Sequence, residues 1–548
     1  MTAADRLAPL LVVVAAIVAG VHAIDASPIG VFYDDAHYVI LGRALATGEG
    51  YRYLNVPGAP AATHFPPGYP ALLALLWRVA PVFPENIALF KMTNALLLGA
   101  VGLGVYWMAR RLLELAPVAA SLTALASTIA IPALLLSSSV MSEVLFLALL
   151  LPLLVVAEDA CDRTDARRAA LLGLSVGLLC LIRSHAFVLI PAIAIGFVLH
   201  RRFREAAVAA TLAVLVVSPW LLWVRHHDPF VPSPLRGQYG SYGAWLAEGL
   251  RTNGAGLLLA SLRDNLVTTY AIVARSFSLA RHPALDAMAV LSVLALCGAG
   301  AMALASRARV TLLFALFYLA IVLVWPFSPL RFIWGIWPII VLLMVGGAVH
   351  AWRFRGSPRG MRSMRTAGAV ACAIAGAGAL NFNVRGYANS WWATVSRSFA
   401  PRIQPQLVWV TEKTRHSDVI VTDDEGAVYL YTGRRAVPPN TFTAEQHLRA
   451  RSPADNARWM AAIVRAFSPD YVVAWARPTL DAAALLAAER PPHRCSYRWT
   501  PSRPGASIVP PPPPGRRALR ERLSSGRGPL RRIAARLLEG TPATAVPC

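Results

Sequence analysis

Phe32-Tyr33-Asp34-Asp35-Ala36-His37-Tyr38 opens a long polar segment, residues 25–86, between an apolar run at 7–24 and the next at 87–108. Two adjacent carboxylates next to a bilayer are tolerated only where they stand in water at the membrane face. A loop that keeps such a pair beside lipid offers a general base to a substrate whose other half is lipid. The reading is a polytopic membrane enzyme rather than a channel or a scaffold.

The composition of the whole chain agrees. It has 548 residues, of which 56% are hydrophobic and 15% charged, whereas soluble domains carry about 25% charged residues. The net charge of +23 is nearly all arginine, with Lys91 and Lys413 the only lysines. Most of that arginine lies in short loops between apolar segments, where it sets orientation and does not read as nucleic-acid binding. Segments of spanning length fall near 7–24, 87–108, 116–136, 139–157, 206–224, 285–305, 310–325, 331–350 and 366–382.

The stretch 169–200 is too long for one span and is interrupted at Arg183-Ser184-His185. Both of its ends are basic, so it reads as two short helices meeting near the outer face, which gives eleven spans. Arg110-Arg111, Arg307 with Arg309, and the run Arg353, Arg355, Arg359, Arg362 and Arg365 then fall on the cytoplasmic side. The N terminus is expected inside and the C terminus outside. Val21-His22-Ala23 also resembles a signal cleavage site, and with or without cleavage 25–86 lies outside.

The expected organisation is a mainly α transmembrane domain, 1–382, with outer loops at 25–86 and 225–284. A small extracytoplasmic α/β domain, 383–509, follows, and then a Pro/Arg-rich tail, 510–548. In that domain 418–422 and 470–474 read as buried strands and 444–467 as helical. Pro510–Pro514 is a polyproline linker, and 516–538 is either a disordered tail or a helix on anionic lipid. Cys495 and Cys548 are placed to pair on the oxidising side. No cysteine or histidine cluster has metal-ligand spacing, and no cofactor is indicated, although a divalent metal is compatible with the chemistry. The lack of an internal repeat, a P-loop or G-x-G-x-x-G speaks against an inverted-repeat transporter and against nucleotide use.

The first loop continues from Tyr38 through a helix-like stretch to Ala46, then Thr47-Gly48-Glu49-Gly50-Tyr51, and closes on His64-Phe65-Pro66-Pro67-Gly68-Tyr69-Pro70. This ordered series resembles the C-type (GT-C) membrane glycosyltransferase superfamily, in particular the protein O-mannosyltransferases and the bacterial transferases that add aminoarabinose or other sugars to lipid A. The resemblance covers roughly residues 7–440. It implies Asp34 as the catalytic acid of the pair, with Asp35 standing where Glu is usual and His64 where Lys or another polar residue precedes the prolines. It also implies a polyprenyl-phosphate sugar donor, and a lipid, glycan or protein acceptor on the extracytoplasmic side of a bacterial inner membrane.

Such a donor is already activated, because phosphate is a good leaving group. The enzyme must deprotonate the acceptor hydroxyl, hold the anomeric carbon in line and neutralise the departing phosphate. Asp34 is the expected base, with Asp35 orienting it or the acceptor; the alternative is a solvated loop pair or a helix N-cap. Glu143, at the head of a span, and Tyr38 are candidate substrate ligands, Glu143 reading otherwise as a partner of the helix dipole. Arg183 at the hairpin tip either meets donor phosphate or snorkels to lipid. Arg225, after Ser218-Pro219-Trp220, resembles a Pro-Trp…Arg segment of the family and is a further candidate phosphate ligand. Arg331, before Phe332, stands where the family's phosphate-binding arginine is expected, and its planar fork suits that role. His226 and His227 read as an interfacial belt rather than a zinc site. Tyr429-Leu430-Tyr431-Thr432-Gly433-Arg434 resembles a family segment and reads as fold stability. The rival from another class is a transporter or flippase of a lipid-linked saccharide, and a polymerase or ligase would use the same chemistry on larger substrates.

Overall fold

The computed structural model describes residues 3–25, 28–162 and 165–488. The tail 510–548, its polyproline run, and the pairing of Cys495 with Cys548 lie outside the described residues.

Helices carry the chain from α1 (Ala3–His22) through the first-loop helices α2 (Asp34–Ala46) and α3 (Gly68–Val79) to α4 (Ile87–Leu112). The next crossing is α5 (Pro117–Thr128) with α6 (Ile131–Ser138), bent by 56° at its break. Then come α7 (Glu143–Asp162), α8 (Ala166–Cys180), a 3-10 turn (Ser184–Val188), α9 (Leu189–Leu199) and α10 (Phe203–His227). The second loop holds α11 (Arg236–Tyr239), α12 (Tyr242–Asn253) and α13 (Gly256–Phe277), and is followed by α14 (Pro283–Leu304), α15 (Arg309–Val324), α16 (Leu330–Trp334), α17 (Trp337–Arg353) and α18 (Pro358–Ala388).

Two faces are defined by what the helix ends touch. At one, Arg111 meets Asp159, and both Arg307 and Arg353 meet Glu114, tying the ends of α4, α7, α14 and α17 together. There too the buried Glu158 accepts the first free N–H groups of α15, from Val310 and Thr311, offsetting donors that a helix start leaves unpaired. The other face carries Asp34 and the large loops. Among the described residues six helices are long and apolar enough to cross a membrane, those of α4, α7, α10, α13, α14 and α18, or seven with the bent pair α5–α6, and α1, α9, α15 and α17 supply shorter apolar helices. The break between α8 and α9 falls at 181–183, where the sequence places it.

The segment 225–284, expected to be loop, contains α13, which is long and apolar enough to cross a membrane. Its contacts keep it on the Asp34 face instead. Asn265 donates to the carbonyls of Val322, Leu323 and Trp325, which end α15, and Phe277 stacks on Trp337, which begins α17. Hydropathy cannot distinguish a crossing helix from one that lies along the surface with one face on protein.

Beyond α18, α19 (Thr394–Lys413) leads into a three-stranded parallel sheet of order β2-β1-β3. Its strands are β1 (Val419–Thr422), β2 (Arg435–Val437) and β3 (Tyr471–Val473); the expected pair is present, and β2 is an addition that a three-residue strand gives no pattern to reveal. Parallel pairing requires crossovers, supplied by α20 (Glu425–Thr432) and α21 (Pro453–Phe467), with α22 (Arg477–Ala488) closing the described chain. The expected helix over 444–467 is interrupted, because Ser452 caps α21 by accepting the N–H of Asp455. This domain is docked on both loops. Ala436 N–H donates to the Asn55 carbonyl, and Gln238 and Trp245 of the second loop bond the backbone of Asn440 and Phe442.

Candidate active site

α2 starts from an unusual turn. Tyr33 has φ 65° and ψ −60°, and the N–H of Asp34 donates to the Phe32 carbonyl at 2.7 Å. That is the positive-φ γ-turn, rare for any side chain and costing about 1–3 kcal/mol. Asp35 secures its approach: its carboxylate accepts the N–H groups of Gly30, Val31 and Phe32 at 2.9, 3.1 and 3.1 Å. Burial pushes the Asp35 carboxyl up to about 6 against the pull of those backbone donors.

Asp34 faces the other way, onto the helix ends. Its Oδ2 accepts from Arg331 at 2.7 Å, and Arg331 Nε lies 3.2 Å from Glu143 Oε1. Arg183 approaches the same Glu143 oxygen at 3.1 Å and donates to Ser142 Oγ at 3.0 Å, while Tyr38 OH sits 3.2 Å from Ser142 Oγ. Two carboxylates and two guanidiniums therefore form one charge-balanced quartet contributed by α2, α7, the α8–α9 break and α16. The acidic pair, expected to stand in water, is buried instead: Asp34 is 4% exposed and Asp35 3%, with Arg183 at 6% and Glu143 fully buried. Such groups are kept charged at this depth only by one another. Burial raises the Asp34 carboxyl, and the attraction of Arg331 opposes that rise without cancelling it. The Phe332 ring lies 5.7 Å from both guanidinium carbons and holds the arginines from one side.

Of the residues singled out in sequence, Asp34, Tyr38, Glu143, Arg183 and Arg331 come together. Asp35 is adjacent, but both its oxygens are engaged by backbone. His64 is one layer away: its Nδ1 donates to the Gly240 carbonyl at 2.7 Å and its ring packs on Tyr242, while burial lowers its pKa to about 4 and keeps it neutral. Arg225 is exposed near the end of α10, outside the quartet. The segment from Tyr429 packs the terminal domain: Arg434 donates to the carbonyls of Thr411, Thr414 and Thr432. Among the described residues no group of three or more His, Cys, Asp or Glu is placed to hold a metal ion.

No family model matches this sequence, and no curated protein matches it. Fourteen solved chains match in structure. One of them is the crystal structure of ArnT from Cupriavidus metallidurans bound to undecaprenyl phosphate, at 13% identity and a TM-score of 0.45, covering 80% of this chain and 86% of that chain. At that similarity it assigns no substrate and no residue role here.

Sequence reasoning missed a second buried cluster behind the quartet. Glu425, the first residue of α20, accepts from Tyr33 OH at 2.7 Å and Tyr239 OH at 3.0 Å. Asn55 donates to Tyr239 OH at 2.7 Å, and His37 Nε2 lies 3.1 Å from the same hydroxyl. Two glycines make the approach possible. A Cβ at Gly426 would lie 2.8 Å from Ala36 Cβ, and one at Gly30, itself at φ +107°, 2.7 Å from Ala427 Cβ. The available signal was the acidic run Asp423-Asp424-Glu425 directly after a buried strand. Ser142, beside Glu143 in sequence, is likewise a member of the quartet's surroundings that no motif announces.

Proposed function

We propose that this chain is an inner-membrane C-type glycosyltransferase that moves a sugar from a polyprenyl-phosphate donor to an acceptor hydroxyl. The observation that carries the reading is Arg331 bridging Asp34 and Glu143, with Arg183 on the same Glu143, at the loop-bearing end of the membrane helices. A phosphate oxygen competes with a carboxylate for the same guanidinium fork. Donor phosphate on Arg331 and Arg183 thus loosens the hold on Asp34 at the moment a base is needed. Asp34 takes the acceptor proton, the acceptor oxygen bonds the anomeric carbon, and the bond from that carbon to phosphate breaks. Polyprenyl phosphate leaves with its charge on the two arginines, and direct displacement inverts the centre. Glu143 holds both arginines in place, Tyr38 and Ser142 line the same wall, and Asp35 positions the Asp34 turn. His64, tied to the second loop through Gly240, supports the wall of the site from one layer away.

On this reading residues 1–382 form the transferase domain and 383–509 an extracytoplasmic domain, with the arginine-rich face in the cytoplasm. The test is native mass spectrometry of the detergent-purified protein. Wild type and Arg225→Ala are expected to retain a polyprenyl phosphate or its sugar adduct, and Arg331→Ala to lose it. Bulk phospholipid alone in all three samples sinks the donor assignment and restores the flippase reading.

A further inference from the structure

The Asp34 carboxylate is aimed by a turn that its own residue type disfavours. Tyr33 carries a Cβ and a ring at φ 65°, a region that glycine enters freely and tyrosine rarely does. The turn persists because it is held from two sides. From within the loop, Asp35 gathers the three preceding N–H groups. From the terminal domain, Glu425 accepts the Tyr33 hydroxyl at 2.7 Å across 392 residues of sequence. The Tyr33 ring is further packed on His37, with centroids 4.3 Å apart.

We infer that Glu425 is a positioning residue of the catalytic site: through the Tyr33 hydroxyl, the terminal α/β domain holds the γ-turn that points Asp34 at Arg331. This rests on the proposed role of Asp34 as base. Glu425 is fully buried at the foot of α20, and only one of its oxygens is used. Oε1 serves Tyr33 and Tyr239, whereas Oε2 has no hydrogen-bond partner among the described residues. Burying a carboxylate with one oxygen unanswered is unfavourable for folding alone, and a neutral side chain would pack the same space better. A rigid acceptor for a phenol that must not swing accounts for its presence. The groups facing it are Tyr33, His37, Tyr239 and Asp424, and burial raises its own carboxyl to about 7. The hydroxyl bond survives in either protonation state, because the neutral acid keeps an accepting oxygen.

Four variants in the full-length protein test this: Tyr33→Phe, Glu425→Ala, Glu425→Gln and the double Tyr33→Phe/Glu425→Ala. Misaiming a reacting group by about an ångström costs up to about 100-fold, so Tyr33→Phe and Glu425→Ala are expected to lower kcat about 10- to 100-fold with donor KM unchanged. Glu425→Gln, which keeps an acceptor oxygen, is expected near the wild-type rate, and the double variant no worse than Glu425→Ala. Hydrogen exchange is read in parallel. Amides of 28–36 are expected to exchange about tenfold faster in Tyr33→Phe, while strands β1 and β3 keep their protection. Exchange requires no donor, so it separates failure of the clamp from failure of the transferase reading. A Tyr33→Phe protein with wild-type kcat and unchanged exchange over 28–36 overturns the inference. So does a Glu425→Gln protein as slow as Glu425→Ala.

Discussion

Asp34→Asn is expected to slow sugar transfer by about 100- to 10,000-fold, the range that removing a well-placed general base covers. The substitution is nearly isosteric, and the amide oxygen still accepts from Arg331, so the quartet keeps its geometry and loses one negative charge. Donor should therefore remain bound while turnover disappears, a fall in kcat without a matching rise in donor KM. Initial rates in proteoliposomes with saturating donor measure it. A rate within about threefold of wild type would remove Asp34 from the chemistry and leave it as an ion-pair partner.

Glu143→Ala is expected to damage the protein itself. Both arginines of the quartet lean on this one buried carboxylate, at 3.1 and 3.2 Å, and removing it leaves two guanidiniums facing each other. Breaking a buried ion pair from one side costs about 3–5 kcal/mol, because the remaining charge stays buried without its counterpart. The detergent-solubilised protein should melt several degrees lower, or aggregate on extraction, and lose donor as well. Glu143→Gln, which keeps the volume and one acceptor, should fall between. A melting temperature for Glu143→Ala equal to wild type would mean that Asp34 alone suffices to balance both arginines.

The membrane itself made half of this site readable. A charge at the end of an apolar helix is costly enough that Glu143, Arg183 and Arg331 each stand out in the chain, and the paired acids draw the eye to Asp34. Their mutual contact follows from charge balance once the helix ends share a face. What stayed hidden depends on neighbours far away in sequence. Glu425 reaches Tyr33 only because α20 packs on α2, and a three-residue strand such as β2 has no periodicity to announce the fold that brings it there. The turn at Tyr33 is hidden for another reason: nothing in a tyrosine signals positive φ, and the sequence cue that normally does, glycine, stands at Gly30 instead. α13 is a third kind of case, where length and hydropathy suit a span and the contacts of Asn265 and Phe277 with the ends of α15 and α17 keep it on the Asp34 face.

The break between α8 and α9 has a consequence for the lipid around it. α8 has 15 residues, the segment Ser184–Leu199 and α15 have 16 each, and α17 has 17. At about 1.5 Å per residue these reach only about 22–26 Å, against a hydrocarbon layer of about 30 Å. These short helices end beside Arg183 and Arg331, and on the proposed function the expected accommodation is a bilayer thinned there, with lipid phosphates nearer the level of the quartet. The protein would meet its lipid halfway, with no need to lift it out. Reconstituted in phosphatidylcholines of increasing acyl length, turnover should decline as the hydrocarbon thickens, whereas flat activity across the series would mean that the headgroup plane never had to bend. A declining series would make the membrane beside this site part of the proposed catalytic apparatus, set by helix length as firmly as any side chain.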